Sequence, residues 1–392
     1  MTSVPKNIAI AGAGIGGLTT ALALARRGIS STVFERRCDP VEAGAGIQLG
    51  PNATGVLDRL GVLNGVRAVA GEPDGLTIHD GVSGRMLARF PLGAWMRARH
   101  GAPYLTLHRT DLHGALRQAA ESEPRIAIAF ESAVARYENC AGGVDVLLGN
   151  NQCHRAEALI AADGLWSVLR SQITTSDAPQ PTSKCAYRTV VPASALSSAL
   201  AANDVHIWLS PGAHVVHYPV GQRDALAVIV VLESGDASDE WERPAALDCF
   251  DTLSVARLAT PLRDLIHSSP AWGVWRLHTL TPLSRWVDGA VALLGDAAHP
   301  LLPFFAQGGG LAIEDAFVLA QSLTRGGPIA DRLSAYEAAR RRRVQRVLDV
   351  SLANGRIYHL AGAAAAARNA VMARVPGALM MRRYDWLYGW KP

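Results

Sequence analysis

The sequence has few of the features that assign a protein to a class at once. Its five cysteines, Cys38, Cys140, Cys153, Cys185 and Cys249, are scattered and include no Cys-X-X-Cys pair. Neither a disulfide framework nor a metal site is indicated, so we expect a reducing, cytoplasmic location and no bound metal. Charge is also sparse, with 18% charged residues and a formal net charge of +4. A net positive charge this small does not favour a nucleic-acid partner.

Long apolar runs are missing as well. Residues 7–25 are uncharged and mostly apolar, but they contain four glycines within six positions, which argues against a signal peptide or membrane anchor. No other segment approaches the roughly 20 apolar residues that a membrane helix needs. The apolar fraction of 49% is typical of a globular protein. At 392 residues we expect two domains and a small-molecule ligand.

A phosphate-binding turn is predicted at the start of the chain. The β-prone segment NIAIA (residues 7–11) leads into GAGIGG (residues 12–17) and then into the helical run LTTALALARRG. Gly12 permits the turn, Gly14 lets a pyrophosphate approach the backbone, and Gly17 lets the helix pack against the strand. Ile15 and Gly16 complete the loop, and the N–H groups at the helix start would bind phosphate oxygens.

An acidic residue follows at the distance that this motif requires. The second predicted strand, STVFE, ends at Glu35, 18 residues beyond Gly17, where a carboxylate would accept hydrogen bonds from an adenosine ribose. Arg36 and Arg37 come next, and they would either bind a 2′-phosphate or remain solvated surface charges. These residues predict an adenine dinucleotide without deciding which one.

Two more acids lie at predicted strand ends. Asp163 follows the apolar strand in LIAADGLWSVLR, and Asp296 follows the strand in AVALLGDAAHP. An Asp-Gly pair alone is more often an ordinary turn, but acids at the carboxyl ends of an open sheet lie where ligands of such folds bind. No second glycine fingerprint is present. If the protein is a two-substrate redox enzyme, its one dinucleotide fold therefore holds a resident cofactor, and a nicotinamide donor must dock elsewhere.

Four motifs, in this order and spacing, resemble the single-component FAD-dependent aromatic hydroxylases, the class A flavoprotein monooxygenases. They are GAGIGG with Glu35, LHRTDL (residues 107–112), ADGLWSVLR (residues 162–170) and LLGDAAHPLLPFFAQGGGLAIEDA (residues 293–316). The chain is most similar to the branch that contains salicylate hydroxylase, 3-hydroxybenzoate 6-hydroxylase and 6-hydroxynicotinate 3-monooxygenase.

The resemblance implies an α/β fold, with a Rossmann-like FAD-binding domain, an inserted and largely antiparallel β-sheet domain for the substrate, and a C-terminal helical segment. The FAD-binding domain would be discontinuous, formed by residues 1–75, 102–180 and 285–350. The substrate domain would comprise residues 76–101 and 181–284. Residues 351–392 would form the helical segment.

The resemblance also implies the chemistry. Bound FAD, reduced by NADH or NADPH, would react with O2 to form a C4a-hydroperoxide that hydroxylates a small hydroxylated aromatic or heteroaromatic acid. Asp296 and Arg109 would bind the ribityl and phosphate region of FAD, and the backbone of Val134 would contact the adenine. Gly308 and Gly309 would lie against the flavin ring, where the absence of side chains allows close approach. Pro303 would border the substrate.

A base that favours the phenolate form of the substrate is expected in HVVHYPV (residues 214–220). On a strand, His214 and Tyr218 share one face with Val216, while His217 points to the other. By resemblance, His214 and Tyr218 line the substrate pocket. The resemblance also places Gln48 near the flavin, where the hydroxynicotinate enzymes carry a histidine.

Five arginines are candidate partners for the substrate carboxylate, since Arg binds carboxylates in bidentate fashion. They are Arg85, Arg89, Arg97, Arg188 and Arg223. We expect His299 to support the loop backbone, and Trp272 and Trp275 to pack in the core. The run of four arginines at residues 340–343 is expected to form a solvated helix face.

Two other functions stay open at this point. The same fold could act on a larger polycyclic or quinone-precursor substrate, or the chain could be a flavin-bound redox sensor without turnover. An association into homodimers is also left open.

Overall fold

The computed structural model describes residues 5–39, 46–174, 178–195, 200, 202–221, 224–233, 243–245, 250, 257–269 and 271–391. The strands within these residues are β1 (Asn7–Ala11), β2 (Ser30–Phe34), β3 (Ile47–Leu49), β4 (Gly75–Asp80), β5 (Met86–Pro91), β6 (Leu105–Leu107), β7 (Ile126–Ala129), β8 (Val134–Cys140), β9 (Gly143–Leu148), β10 (Cys153–Ala156), β11 (Ala158–Ala161), β12 (Gln180–Pro192), β13 (Asp204–Ser210), β14 (Ala213–Val220), β15 (Ala225–Glu233), β16 (Arg243–Ala245), β17 (Trp272–Thr279), β18 (Val287–Asp288) and β19 (Val291–Leu293). The α-helices are α1 (Ile15–Ala25), α2 (Pro51–Arg59), α3 (Leu63–Val69), α4 (Gly93–His100), α5 (Arg109–Glu121), α6 (Arg170–Ile173), α7 (Thr260–His267), α8 (Gly308–Leu323), α9 (Ile329–Tyr358), α10 (Gly362–Met372), α11 (Gly377–Arg382) and α12 (Asp385–Tyr388).

A six-stranded sheet holds the predicted nucleotide motif near its centre. Its order is β18-β19-β11-β1-β2-β7, and every neighbouring pair is parallel except β18 with β19. The central strands β1 and β11 are almost wholly apolar and buried, as expected for parallel strands covered on both faces. Because parallel strands end at the same edge, the loops after β1, β11 and β19 lie close together.

An eight-stranded sheet follows the order β16-β17-β12-β15-β14-β13-β4-β5. All neighbours pair antiparallel except β4 with β13, which are parallel. The β-branched and aromatic segments CAYRTVVP, DVHIWLS, HVVHYPV and ALAVIVVLE lie in β12, β13, β14 and β15, respectively. Val215, Val228, Val230 and Trp272 form a separate apolar core with helix α7 on one face of this sheet. The predicted mixed α/β architecture is therefore confirmed.

Helix α9 corrects one prediction about the arginine run. Arg340 is only 1% exposed and forms ion pairs with Glu314 and Asp315 of α8. Arg343 also pairs with Glu314, whereas Arg342 is exposed. The expectation of a solvated face was wrong for Arg340 and Arg343, because α8 packs against this side of α9 and presents two acids to it.

The described helices include none that is long and apolar enough to cross a membrane.

Candidate active site

One long cavity of about 630 Å³ runs from the loop after β1 to the face of the eight-stranded sheet. Sixteen of the seventeen predicted site residues line it. They are Gly12, Gly14, Ile15, Gly16, Glu35, Arg36, Gln48, Arg109, Val134, Asp163, His214, Tyr218, Asp296, Pro303, Gly308 and Gly309. The remaining one, Gly17, lies behind the loop. Segments separated by up to 300 residues in sequence are thus brought to one place by the two sheets.

Two positions in the segment that links β1 to α1 can be occupied only by glycine. Gly12 has a φ of 100°, and a Cβ there would lie 2.5 Å from the carbonyl oxygen of Ala162. A Cβ on Gly17 would lie 1.9 Å from the carbonyl oxygen of Gly12. Gly14 is the N-cap of α1, and neither a side-chain cap nor an acid occupies the first turn. The N–H groups at this helix start are therefore oriented toward the cavity as an anion site.

Glu35 holds this loop in place. Its Oε2 accepts a hydrogen bond from the Ala13 amide at 2.9 Å, and its Oε1 accepts one from the Arg37 amide at 3.0 Å. A carboxylate has about four lone-pair sites, so these two bonds leave acceptor capacity for ribose hydroxyls at the cavity wall.

Asp163 offers an acceptor at the end of β11. Its Oδ2 accepts hydrogen bonds from the amides of Val168 and Leu169 at 3.1 and 3.4 Å. Its Oδ1 is buried and bonds to none of the described residues, and burial raises the pKa of this carboxyl. A buried polar atom needs a partner. A hydroxyl-bearing ligand in the adjoining cavity would satisfy it.

The loop from Gly295 to α8 forms the opposite wall. His299 lies 2.7 Å from Oδ2 of Asp315, and that same oxygen accepts the Gly295 amide at 3.3 Å. The expected support of the loop by His299 therefore runs through the Asp315 side chain, which in turn binds the backbone. A Cβ added to Gly308 would meet only open space. The backbone at the start of α8 is thus accessible from the cavity.

The far end of the cavity is formed by the eight-stranded sheet. His214, Val216 and Tyr218 line it, whereas Val215 packs in the core behind, so the predicted alternation along β14 is confirmed. Burial raises the pKa of Tyr218, an effect that Arg188 and a hydrogen bond with Gln48 partly offset. The Tyr104 hydroxyl also donates to Oε1 of Gln48 at 2.7 Å.

Only one of the candidate arginines within the described residues lines the cavity. Arg188 does so, with its guanidinium carbon 4.9 Å from the ring centre of Trp275. The other three are placed elsewhere: Arg85 is exposed, Arg89 pairs with Asp204 and Arg97 pairs with Glu72. Arg223 lies outside the described residues. Trp275 is buried as predicted, but it also contributes to the cavity wall.

Residues 6–351 match the FAD binding domain family. The chain belongs to this family. The 3-hydroxybenzoate 6-hydroxylase 1 of Aquipseudomonas alcaligenes is 38% identical over 386 residues, which cover 98% of each chain. The 6-hydroxynicotinate 3-monooxygenase of Bordetella bronchiseptica is 32% identical over 350 residues, 88% of this chain and 90% of the relative. A solved salicylate hydroxylase substrate complex superposes with a TM-score of 0.83 at 25% identity, covering 100% and 97% of the two chains.

These similarities confirm the predicted family, and with it FAD as the cofactor and monooxygenation as the type of reaction. The residues present fit FAD on their own geometry. The two glycine positions of the first loop and the start of α1 suit a pyrophosphate, and the unsatisfied Oδ1 of Asp163 suits a hydroxyl of the cofactor. The glycine backbone at Gly308 suits the close approach of a flat ring.

In this flavoprotein, sequence analysis missed Gln307. It is 1% exposed, lines the cavity as the N-cap of α8, and its Oε1 accepts a hydrogen bond from Nδ2 of Asn52 at 3.1 Å. Its position directly before Gly308 was the available signal. Asn52 gave no such signal, because it is 255 residues away in sequence. Among the described residues no group of potential ligands could hold a metal ion.

Proposed function

We propose that the chain hydroxylates a small aromatic acid that already carries a hydroxyl group, with 3-hydroxybenzoate as the first candidate. The observation that carries this proposal is the set of side chains at the far end of the cavity. Arg188 supplies a fixed positive charge, and His214 and Tyr218 supply polar groups on the same sheet face. A compact ring with one carboxylate and one hydroxyl matches this combination.

Arg188 would bind the substrate carboxylate. Its guanidinium is delocalised, permanently charged and stacked near the Trp275 ring, which limits its motion and suits bidentate binding. The other arginines in the cavity wall include Arg36 and Arg109, which lie on the nucleotide side. The charge at the ring end therefore favours an acid over a neutral phenol.

His214 and Tyr218 would contact the substrate hydroxyl, because both lie on β14 and face the cavity. The wall between them is apolar, formed by Val216, Ile229 and Val231. Such a wall excludes water and strengthens the few polar contacts that remain. Gln307 would add a fixed amide group at the start of α8.

FAD would supply the redox chemistry, taking electrons from a reduced nicotinamide and activating O2. The protein's own part is then binding, orientation, exclusion of water and control of one substrate proton. We further propose a cytoplasmic location, which the free thiols of the four described cysteines support. The domain division predicted above also stays a proposal.

The test is oxidation of NADH and NADPH by the FAD-loaded protein in the presence of 3-hydroxybenzoate, salicylate, 4-hydroxybenzoate or 6-hydroxynicotinate, with product analysis by mass spectrometry. We expect faster oxidation and a product heavier by one oxygen atom for at least one acid. Arg188→Gln should raise KM for that acid at least tenfold and leave FAD content unchanged, whereas Arg85→Gln, on the exposed surface, should match the wild type. Failure of all four acids to give a hydroxylated product would refute the proposal.

A further inference from the structure

His214 is hydrogen-bonded to a second histidine that lies outside the cavity lining. Nδ1 of His214 and Nε2 of His359 are 2.8 Å apart. The two residues are 145 positions apart in sequence, and His359 directly follows the last residue of α9. With Nδ1 of His214 engaged in this bond, Nε2 is the ring nitrogen that remains for a ligand in the cavity.

The surrounding structure fixes the two rings relative to each other. The ring of His214 lies 5.3 Å from that of Tyr358 and 5.7 Å from that of Phe304, and the His359 ring lies 6.0 Å from Phe304. The His359 carbonyl accepts a hydrogen bond from the Gly212 amide at 3.3 Å, which anchors the end of α9 to the turn before β14. These contacts hold His214 and His359 in a fixed arrangement.

The two rings differ in their access to solvent. His214 is 1% exposed, while the His359 side chain is only partly buried. Nδ1 of His359 is covered and bonds to none of the described residues. Lys184, Glu233 and Arg368 are the charged groups that act on His359. A line of four ring nitrogens therefore leads from the cavity to Nδ1 of His359, a buried polar atom that needs a partner, and an internal water would supply one.

We propose that His359 is a positioning residue that relays a proton between His214 and the outside of the cavity. This inference rests on the proposed function, since the proton in question is that of the substrate hydroxyl. As the substrate O–H bond breaks, an N–H bond forms at Nε2 of His214. The proton on Nδ1 of His214 passes to Nε2 of His359, and the proton on Nδ1 of His359 passes to the internal water that would be hydrogen-bonded there.

Both rings stay neutral in this exchange, since each gains one proton and loses another. That suits their environment. Burial and the neighbouring His359 hold the pKa of His214 well below its ordinary value, and burial with the nearby Lys184 lowers the pKa of His359 to about 4. A lone buried histidine with so low a pKa would be a weak base, because it could not keep the proton. A pair of histidines that only exchange tautomers stays uncharged, so burial does not oppose the proton transfer.

The first experiment uses 15N-histidine-labelled, FAD-loaded protein and needs no turnover. We expect the wild-type His214 signals, assigned with His214→Asn, to show a neutral ring hydrogen-bonded at Nδ1, and His359→Phe to abolish that bond. The exposed His267 gives the control, His267→Gln, which should leave these signals unchanged. If His359→Phe leaves the His214 signals unaltered, the relay is overturned.

The second experiment follows the proton itself. We expect FAD-loaded wild type to ionise bound 3-hydroxy-4-nitrobenzoate, a chromogenic phenol, within the mixing time of a stopped-flow instrument. His359→Gln keeps a hydrogen-bond donor but cannot relay, and it should slow ionisation at least tenfold with Kd changed less than threefold. Imidazole should restore the rate of His359→Gly. Equal rates in wild type and His359→Gln, or no rescue, would overturn the relay. If the wild type gives no hydroxylated product but its 15N spectrum shows the hydrogen bond at Nδ1 of His214, only the proposed function is contradicted.

Discussion

Replacement of Arg340 by methionine should destabilise the protein substantially, although methionine has a similar length and suits an apolar interior. Arg340 is 1% exposed, and its guanidinium lies 2.8 Å from Glu314 and 2.6 Å from Asp315. Loss of one partner from a buried ion pair typically costs about 3 to 5 kcal/mol, because the remaining charge is left uncompensated. Glu314 retains Arg343 and Asn52 as partners.

The cost therefore falls mainly on Asp315, which retains His299 and the Gly295 amide. We expect a loss near the lower limit, about 3 kcal/mol in the free energy of unfolding at neutral pH. Urea denaturation monitored by tryptophan fluorescence measures this quantity. The exposed Arg342 lies two positions away in the same helix, and Arg342→Met should change stability by less than about 0.5 kcal/mol.

The pH dependence gives a second check on the same reasoning. Burial acts to raise the pKa of Asp315, but His299 and Arg340 outweigh it, so the folded-state pKa is lowered. Without Arg340 that pKa rises, and the folded protein then gains a proton on Asp315 as the pH falls. The deficit of Arg340→Met should accordingly be larger at pH 8 than at pH 5.5. A deficit below 1 kcal/mol, or one equal at both pH values, would refute the argument.

Three further outcomes are expected. Gly17→Ala should abolish FAD retention, measured as flavin absorbance of the purified protein, because its Cβ would lie 1.9 Å from a loop carbonyl; Gly114→Ala, in open space on α5, is the control. Gly355→Ala gains about 1 kcal/mol of helix propensity, but its Cβ would lie 2.7 Å from the buried Phe304 ring. Overpacking costs of about 1 to 3 kcal/mol should therefore prevail, with lower stability in urea and slower turnover. Burial and a neighbouring histidine lower the pKa of His206 from 6.5 to about 4, so the unfolded chain binds the extra proton. Stability should fall by up to about 3 kcal/mol between pH 6.5 and 4, and His206→Gln should flatten that slope.

The nucleotide end of the site was predictable from sequence because its constraints are local. Gly12 needs a left-handed φ and Gly17 needs the absence of a Cβ, and both conditions follow from the strand, turn and helix within a few residues. The face of β14 was predictable for the same reason, since side chains alternate along any strand. The family resemblance then related these local motifs to one cofactor.

The buried charges and the second histidine were not predictable in this way. Arg340 follows a pattern common on exposed helices, and its burial depends on how α9 packs against the acids of α8. His359 has no motif around it, and its role arises only where α9 ends beside β14. Such contacts depend on the tertiary packing of distant segments, which no local periodicity encodes.

The separation between the two sheets has an evolutionary consequence. The loops at the nucleotide end of the cavity belong to the parallel sheet, whereas the far end is lined by alternate residues of β14 and β15 and by Arg188 of β12 on the other sheet. Substitutions at positions such as Val216 or Ile229 can therefore change the substrate preference during evolution without altering the loops at the flavin-binding end. The intervening positions on the same strands face an apolar core. Substitutions that change the substrate preference should therefore be concentrated at alternate positions along these strands.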